Sequence, residues 1–477
     1  MSVLRLANSF GRAAVIIKGI PYPKTRSIHS QGGLQMQNRH LWKSWRTLAC
    51  IFAFSIWQSA FGQLTLKSDD TVQVHLGGFG SIQAGQIVQG HYASQTAGTG
   101  VELQHLWLEK GFVNLTADVT YHNHLRMLLG VEGKVWRDEA YSNYQEMWEV
   151  PEKMYSFYIP QAECRYILDD MGPLSLQVSG GIFPYKYNPD VRNLGEYLFR
   201  TGTYPGWIIN EFDKPYATLT GFRANATLWG TFSNDILLTT ETDIRPIYDF
   251  SLSYIGKCLM FNMLELGWGI DFANLISVNE NETSPHTSNN IDAINGADTV
   301  YYSFAGVKPM VRLSFDPKPL LPFANIFGKE DLRIYAEAAV LGLQSYKILY
   351  TDMGQRTPVM IGFNIPAFKI FDVLSLQTEW YDSPYPNSYT GIADGGPPIP
   401  DPIPNDIMNS DPNTYKKDSW KWSLYAKKTI AGHFSIIGQM ARDHIFTEQS
   451  FSDTRDRQET LIKNADWWWV LKLAYNL

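Results

Sequence analysis

The chain of 477 residues is short of several things, and each shortage excludes a class of protein. It holds only 3 cysteines. Beyond the first of them, Cys164 and Cys258 stand without CxxC spacing, so no disulfide framework or thiolate metal site is encoded. Both read as unpaired structural thiols, although an oxidising compartment would allow them to join. Past residue 62 there is no run of eighteen apolar residues, which excludes a helical membrane span. Catalytic signatures are missing as well: no GxSxG, HExxH or glycine-rich phosphate loop occurs. Asp443 and His444 are neighbours in RDHIF, and adjacent strand residues point to opposite faces, so they form no acid–base pair. His122 and His124 in YHNH lack a third ligand, and the acidic loop ENETSPHTSNNIDAINGAD matches no EF-hand spacing. The chain is therefore read as a non-enzyme without metal or cofactor.

Charge is also scarce, at 18% of residues, whereas aromatics reach 14%, with 15 Trp, 26 Tyr and 25 Phe. Trp and Tyr settle at the boundary between lipid and water, so this load suits a chain with two such boundaries to mark. NRHLWKSWRTLACIFAFSIWQSAFGQ has a basic leader, an apolar run near Leu48 to Trp57, and small residues before Gln63. It reads as a secretory signal cut after Gly62, with Met36 as the start and residues 1–62 set apart as upstream extension plus signal peptide. All eight Lys and Arg of that segment go with it and no Asp or Glu, so residues 63–477 carry a formal charge of −15. Nucleic acid is excluded as a partner on that balance.

What recurs along residues 63–477 is alternation. In HLRMLLGVEGKVW, Leu125, Met127, Leu129, Val131 and Val135 share one face, and Arg126, Glu132 and Lys134 the other. VKPMVRLSF opposes Val307, Val311, Leu313 and Phe315 to Lys308, Arg312 and Ser314; LRIYAEAAV, LSLQVSGGI and LSLQTEW follow suit. Period-two patterning means strands with one greasy face. The connections alternate too. Short turns fall near 120–123, 169–173, 231–234, 257–260, 369–372 and 431–433, and long polar stretches near 90–102, 137–153, 187–214, 277–300, 346–356, 386–417 and 446–464. PKPLLPFANIFGKED is the exception, a long connection on the short side in which a small helix is expected. The last segment, DWWWVLKLAYNL, puts Trp467, Trp469, Leu471, Leu473 and Tyr475 on an apolar face. Such a strand is expected to pair with the first, near VQVHLGGFGSIQAGQ, leaving no edge, with Trp468 facing inward.

A signal peptide, alternating segments, and short turns opposite long loops together make residues 63–477 resemble the Gram-negative outer-membrane porins. The expected fold is all-β: one transmembrane antiparallel β-barrel of about 16 strands, with short periplasmic turns and long extracellular loops. The resemblance implies the cell outer membrane, outer-membrane lipid around the barrel, and passive diffusion of small hydrophilic solutes or ions. Trimers are common in that family, which makes a homotrimer the implied assembly. Terminal strands there commonly end in an aromatic residue, whereas here Tyr475 precedes Leu477 by two.

The third long loop carries the candidate site. Asn188 suits a helix N-cap and Pro189 the first helical position. Val191, Leu194 and Leu198 then fall on one face, with Arg192, Glu196 and Arg200 as a stripe on another. In the porins the corresponding loop folds into the barrel, which implies a constriction lined by Arg192, Glu196 and Arg200, with Lys186, Glu211 and Asp213 near its rim. An ordinary surface helix would show the same stripe. Parity adds a lumen set of Arg126, Glu132, Lys134, Arg223, Glu265, Asp271, Lys308, Arg312, Arg333, Glu337 and Glu379, mixed in sign with six basic and five acidic, so the acidic excess falls mainly in loops and turns and a weak cation preference is the most that is expected. Two other readings stay open. Trp136, Tyr141, Tyr144, Trp148, Tyr155, Tyr381, Tyr385 and Tyr389 crowd two loops and would suit an oligosaccharide-selective channel, and a closed structural or adhesive barrel would share the same pattern.

Overall fold

A computed structural model describes residues 64–68, 71–92, 101–139, 154–199, 217–240, 249–278, 283–287, 299–303, 305–344, 352–382, 387–388, 401–402, 420–443, 461 and 463–476. Within them, sixteen antiparallel strands close on themselves. In chain order they are β1 (Val72–Tyr92), β2 (Val101–Tyr121), β3 (Leu125–Glu139), β4 (Met154–Met171), β5 (Leu174–Tyr185), β6 (Ala217–Leu228), β7 (Phe232–Thr240) and β8 (Phe250–Met260). The second half comprises β9 (Leu264–Ile276), β10 (Gly306–Phe315), β11 (Ile334–Ala339), β12 (Val359–Asn364), β13 (Val373–Trp380), β14 (Trp420–Ile430), β15 (Phe434–Arg442) and β16 (Trp467–Asn476).

Each strand pairs with the next, and β16 returns to β1 from Phe79 opposite Asn476 to Gln89 opposite Trp467. The expected pairing of last strand with first is thus present. A further short strand, Leu64–Ser68, pairs with Gln73–Leu76 of β1 along the edge that β16 leaves once it has passed Phe79. The 21-residue β1 is therefore covered on that side by two separate segments, one after the other.

One rim holds the short reversals. Pairs of left-handed residues make them: His122 and Asn123, Trp229 and Gly230, Phe261 and Asn262, Ala431 and Gly432. Two successive positive φ angles give the turn whose twist matches that of the flanking strands. The exception is the β10–β11 connection, where two 3-10 turns, Lys318–Leu320 and Ala324–Ile326, stand in place of the small helix expected. The other rim holds the long connections, and it has one more than sequence reading found: the link between Thr240 and Phe250. Its residues, ETDIRPIYD, contain no long polar stretch to announce a loop.

The two faces of the wall differ as alternation demands. Leu115, Leu129, Val131, Val178, Ile236, Val311, Leu313 and Ile361 are exposed on the outside. Glu132, Lys134, Glu163, Asp271, Arg312, Glu337, Gln377, Glu379 and Lys472 are buried on the inside. Aromatics mark both ends of the apolar outer surface. Tyr121, Trp229, Phe261, Phe323 and Phe368 are exposed at the short-turn rim, while Phe157 and the pairs Trp380–Trp420 (4.9 Å) and Trp107–Trp469 (6.2 Å) lie toward the other. Cys164 and Cys258 are both free thiols, Cys164 exposed and Cys258 half-buried.

Inside, one glycine fixes a key ring. Gly362 of β12 sits opposite Tyr335 of β11, and a Cβ there would come within 2.1 Å of the tyrosine ring. The bare backbone lets Tyr335 lie flat against the wall, where its hydroxyl meets Ser375 Oγ at 2.7 Å and accepts from Gln377 Nε2 at 3.0 Å. Gly362→Val is expected to displace that ring and to cost about 1–3 kcal/mol, as overpacked cores do. The check is the urea midpoint of the folded barrel in detergent, which falls in the variant; a Tyr335→Ala background makes room for the new side chain and shrinks the effect.

Candidate functional site

The described part of the β5–β6 connection, residues 186–199, lies inside the barrel. Its apolar side chains merge with the inward residues of the wall: Val191, Leu194, Tyr197 and Leu198 join Phe183, Leu237, Ile255, Met310, Tyr335 and Met360 in one buried cluster. No helix forms there, contrary to the expectation from Asn188 and Pro189. The cause is local and tertiary together. Gly195 and Glu196 take left-handed φ angles of 105° and 63°, which an α-helix cannot accommodate. The backbone donors that a helix would use internally go elsewhere: Asn193 and Leu194 N–H to Gln377 Oε1 (2.9 and 3.2 Å), Tyr197 N–H to Glu337 (3.0 Å), and Leu198 N–H to the Tyr187 hydroxyl (3.2 Å). Because every buried amide needs a partner, side chains of the wall have taken the place of the helical carbonyls.

Glu337 is the hub of this arrangement. Fixed on β11 and 1% exposed, it accepts from Tyr187 Oη at 2.6 Å, Asn188 Nδ2 at 2.7 Å and Tyr197 N–H at 3.0 Å. Burial, followed by the nearby Glu337 carboxylate, pushes the Tyr187 phenol well above its ordinary pKa, so it remains a donor. Glu379 on β13 accepts from Tyr197 Oη at 2.8 Å. Asp443, at the end of β15, accepts from Asn193 Nδ2 at 2.7 Å and from Trp468 Nε1 at 2.8 Å. Trp468 does face inward, fully buried, and it links the last strand to the loop through that carboxylate. On the other flank Arg333 reaches Asp190 at 2.7 Å, and Arg192 reaches Glu330 at 3.3 Å. Glu330 and Arg333 belong to the β10–β11 connection of the short-turn rim, so the loop extends from one rim to residues of the other.

The six expected constriction residues separate. Lys186 donates to the Val191 carbonyl at 2.6 Å, at the root of the loop. Glu196 turns back to accept from Asn188 N–H at 2.5 Å and is 3% exposed. Arg192 is half-buried in its pair with Glu330. Arg200, Glu211 and Asp213 lie outside the described residues, so the expected Arg192–Glu196–Arg200 stripe is not assembled within them.

The wall residues mostly sit in pairs. Arg126 meets Asp118 in a fork of 2.5–3.0 Å, Arg223 meets Asp235 at 2.9 Å, and Arg312 lies 2.6 Å from Glu265 at an angle unsuited to a hydrogen bond. Asp271 accepts from Ser253 Oγ at 2.7 Å and stands opposite Lys308 in the register. Glu132 accepts from Asn114 Nδ2 at 3.1 Å and from Tyr158, and Lys134 is buried two residues on.

Sequence reading missed Asp190, Asn193, Gln377 and Asp443 as loop ties, and Lys110, Gln83 and Lys472 on the wall. Lys472 was signalled as the one charge in an apolar strand. Lys110 gave no signal, because both faces of LWLEKGFVNL are largely apolar.

The barrel with a long loop laid inside it decides the architecture. It is porin-like. No protein-family model and no curated protein matches the sequence. Solved porins match in structure: a mutant of the porin of Rh. blastica (6% identity, 85% of this chain and 100% of that one, TM-score 0.39), Salmonella typhi OmpF in complex with daunomycin (9%, 86% and 99%, 0.41), and Pseudomonas putida OprB at low pH (9%, 86% and 93%, 0.43). At those scores the assignment rests on the strand pairing of this porin-like barrel itself.

Glu337→Ala removes the acceptor of three buried donors, and an unpaired buried donor costs about 1–3 kcal/mol. The variant is expected to release the loop: trypsin should spare the native barrel at Lys186 and Arg192 and cut the variant there while the strands stay folded. Trp468→Phe removes the N–H and shrinks a fully buried ring, and is expected to lower the thermal midpoint by the equivalent of about 1–3 kcal/mol; substituting the exposed Trp420 in the same way serves as the control.

Proposed function

We propose that the chain is an outer-membrane channel through which small hydrophilic solutes or ions diffuse passively, narrowed by the β5–β6 loop. The observation that carries this reading is the loop itself, held within the lumen by Glu337, Gln377, Glu379 and Asp443 rather than left above the rim. An apolar outer surface with aromatics at two levels suits a bilayer around the wall, and a polar inner face suits water within it. The signal peptide proposed for residues 1–62 lies outside the described residues, as do most of the loop aromatics that suggested a saccharide path. Of that set Tyr381 is described with its side chain, and it is buried in the apolar cluster rather than offered to a solute. Export through residues 1–62, lipid as the surrounding phase and a homotrimeric assembly remain parts of the same proposal.

A closed barrel is the second reading, and one observation favours it: the loop's Val191, Leu194 and Leu198 form a dry core with one side of the wall. Planar-bilayer recording separates the two. The refolded protein is expected to give discrete, long-lived conductance steps, and deletion of residues 190–205 to enlarge them about twofold or more, because conductance through a narrowing follows its cross-section. Equal step size in wild type and deletion would remove the loop from the pore, and silence from a correctly folded barrel would select the closed reading.

A further inference from the structure

The β10–β11 connection, residues 316–333, is the longest link described on the short-turn rim, and its polar and apolar side chains are sorted. Lys318 closes it into a neck, donating to the carbonyls of Lys329 and Asp331 (2.9 and 2.7 Å) and pairing with Asp316 at 3.0 Å. Towards the lumen, Glu330 of that neck meets Arg192 and Arg333 meets Asp190, so the neck is what the inner loop touches at this rim. Beyond the neck the side chains change character: Leu320, Phe323 and Ile326 are 63%, 51% and 45% exposed. The β12–β13 connection, residues 365–372, is bonded to this tip. Asp331 Oδ2 accepts from the Phe368 N–H at 3.0 Å, Lys369 Nζ donates to the Asn325 carbonyl at 2.6 Å, and the Phe327 and Phe368 rings stack at 5.6 Å.

With Phe368 and Ile370, both exposed, five large apolar side chains stand out from one sector of the rim, whereas Tyr121, Trp229 and Phe261 stand one to a turn elsewhere. A connection that met only water would fold such a patch under, and its exposure marks a contact. What it continues indicates what covers it. Phe315, Ile334, Phe363 and Leu376 form one row across β10 to β13 on the outer, apolar face, and the connection hangs directly from Phe315 and Ile334. The patch therefore prolongs the surface that faces lipid in the membrane reading. Its charge is suited to a phosphate. The acids of the two connections are engaged: Asp316 with Lys318, Glu330 with Arg192, Asp331 with the amides of Gly328 and Phe368, and Asp372 with Lys428 and the Thr429 amide. Lys329 and Lys369 are exposed beside the apolar tip. Acyl chains suit the tip and an anionic headgroup suits the lysines.

We propose that the β10–β11 connection is a lipid-seated foot for the inner loop: its apolar tip binds anionic phospholipid in the leaflet at the short-turn rim, and that seat steadies the neck against which Asp190 and Arg192 are held. The foot rests on the reading of the barrel as a membrane protein, and not on whether the barrel conducts. It gives the lipid on one sector of the rim a mechanical path to the loop, through Glu330 to Arg192.

Photo-crosslinking tests the seat. With p-benzoylphenylalanine in place of Phe323, the full barrel reconstituted in equimolar phosphatidylglycerol and phosphatidylcholine is expected to yield phospholipid adducts, and the same residue in place of Ile361 on the outer wall serves as the reference. Lipid at 361 and none at 323 would overturn the foot and leave the membrane reading standing, whereas lipid at neither position would refute both. The adducts at 323 are expected to favour phosphatidylglycerol about tenfold; an even division would overturn the anionic site. In membranes of expressing cells, a protein adduct at 323 in place of lipid would overturn the foot in favour of a docked protein. The link to the loop is read separately. Leu320→Ser, Phe323→Ser and Ile326→Ser together are expected to make trypsin cut at Arg192 about tenfold faster in the same vesicles, because cleavage follows the population of the released loop. Unchanged protection in that triple variant would overturn the path from tip to loop.

Discussion

Everything in this molecule hangs on the closure of β16 against β1. A sheet of sixteen strands with open edges would present rows of unpaired amides and carbonyls at both ends, which neither lipid nor a neighbouring chain would leave alone. Joining the edges satisfies those groups within one chain and creates an inside and an outside at once. The consequence for sequence is strict: every strand needs one face for each environment, and a one-residue slip exchanges them. Leu64–Ser68 shows how far the demand extends, since it pairs with the part of β1 that β16 does not reach.

Once a lumen exists, a loop can enter it only if its own polar backbone is satisfied there. A helix would be the simple answer, because it satisfies its amides internally. This chain solves the problem from outside instead: Glu337 and Gln377 accept from backbone amides, and Glu379 and Asp443 from the Tyr197 and Asn193 side chains, all four placed by different strands or strand ends. Such a loop has no independent conformation to fall back on. Its shape is dictated by the wall, and the buried carboxylates are kept harmless by the loop's donors. The two depend on each other, so loop and wall are expected to form as one cooperative unit rather than as a barrel with a separate gate.

These dependencies explain what the sequence could and could not disclose. The strands, their faces, the alternation of short and long connections and the inward Trp468 all follow from period-two patterning, which each segment carries by itself. The fate of Asn188–Phe199 does not. Its Asn-Pro start and its Val191, Leu194, Leu198 spacing are those of a helix, and the same three side chains do end in the core. What decided otherwise was Gly195, which loosened the segment locally, and Gln377 and Glu337, which lie more than a hundred residues away and captured its amides. No local reading contains that competition. Lys110 was hidden for a different reason: β2 is apolar on both faces around it, because Phe112 and Leu108 face inward too.

The distribution of charge around the lumen now has a physical logic. Acids gather where the loop docks, because backbone amides, Asn and Tyr donors call for acceptors, and a carboxylate is the strongest available. Those acids are spent on the loop and screened by it. On the far wall a buried acid needs donors from the wall itself, as Glu132 has in Asn114 and Tyr158. Lysines beside Phe79 and Phe112 are better suited to that position, since the rings themselves attract the ammonium groups. The lumen wall is thus of two kinds: one side carries the carboxylates that hold the loop, and the other carries lysines seated on the Phe79 and Phe112 rings.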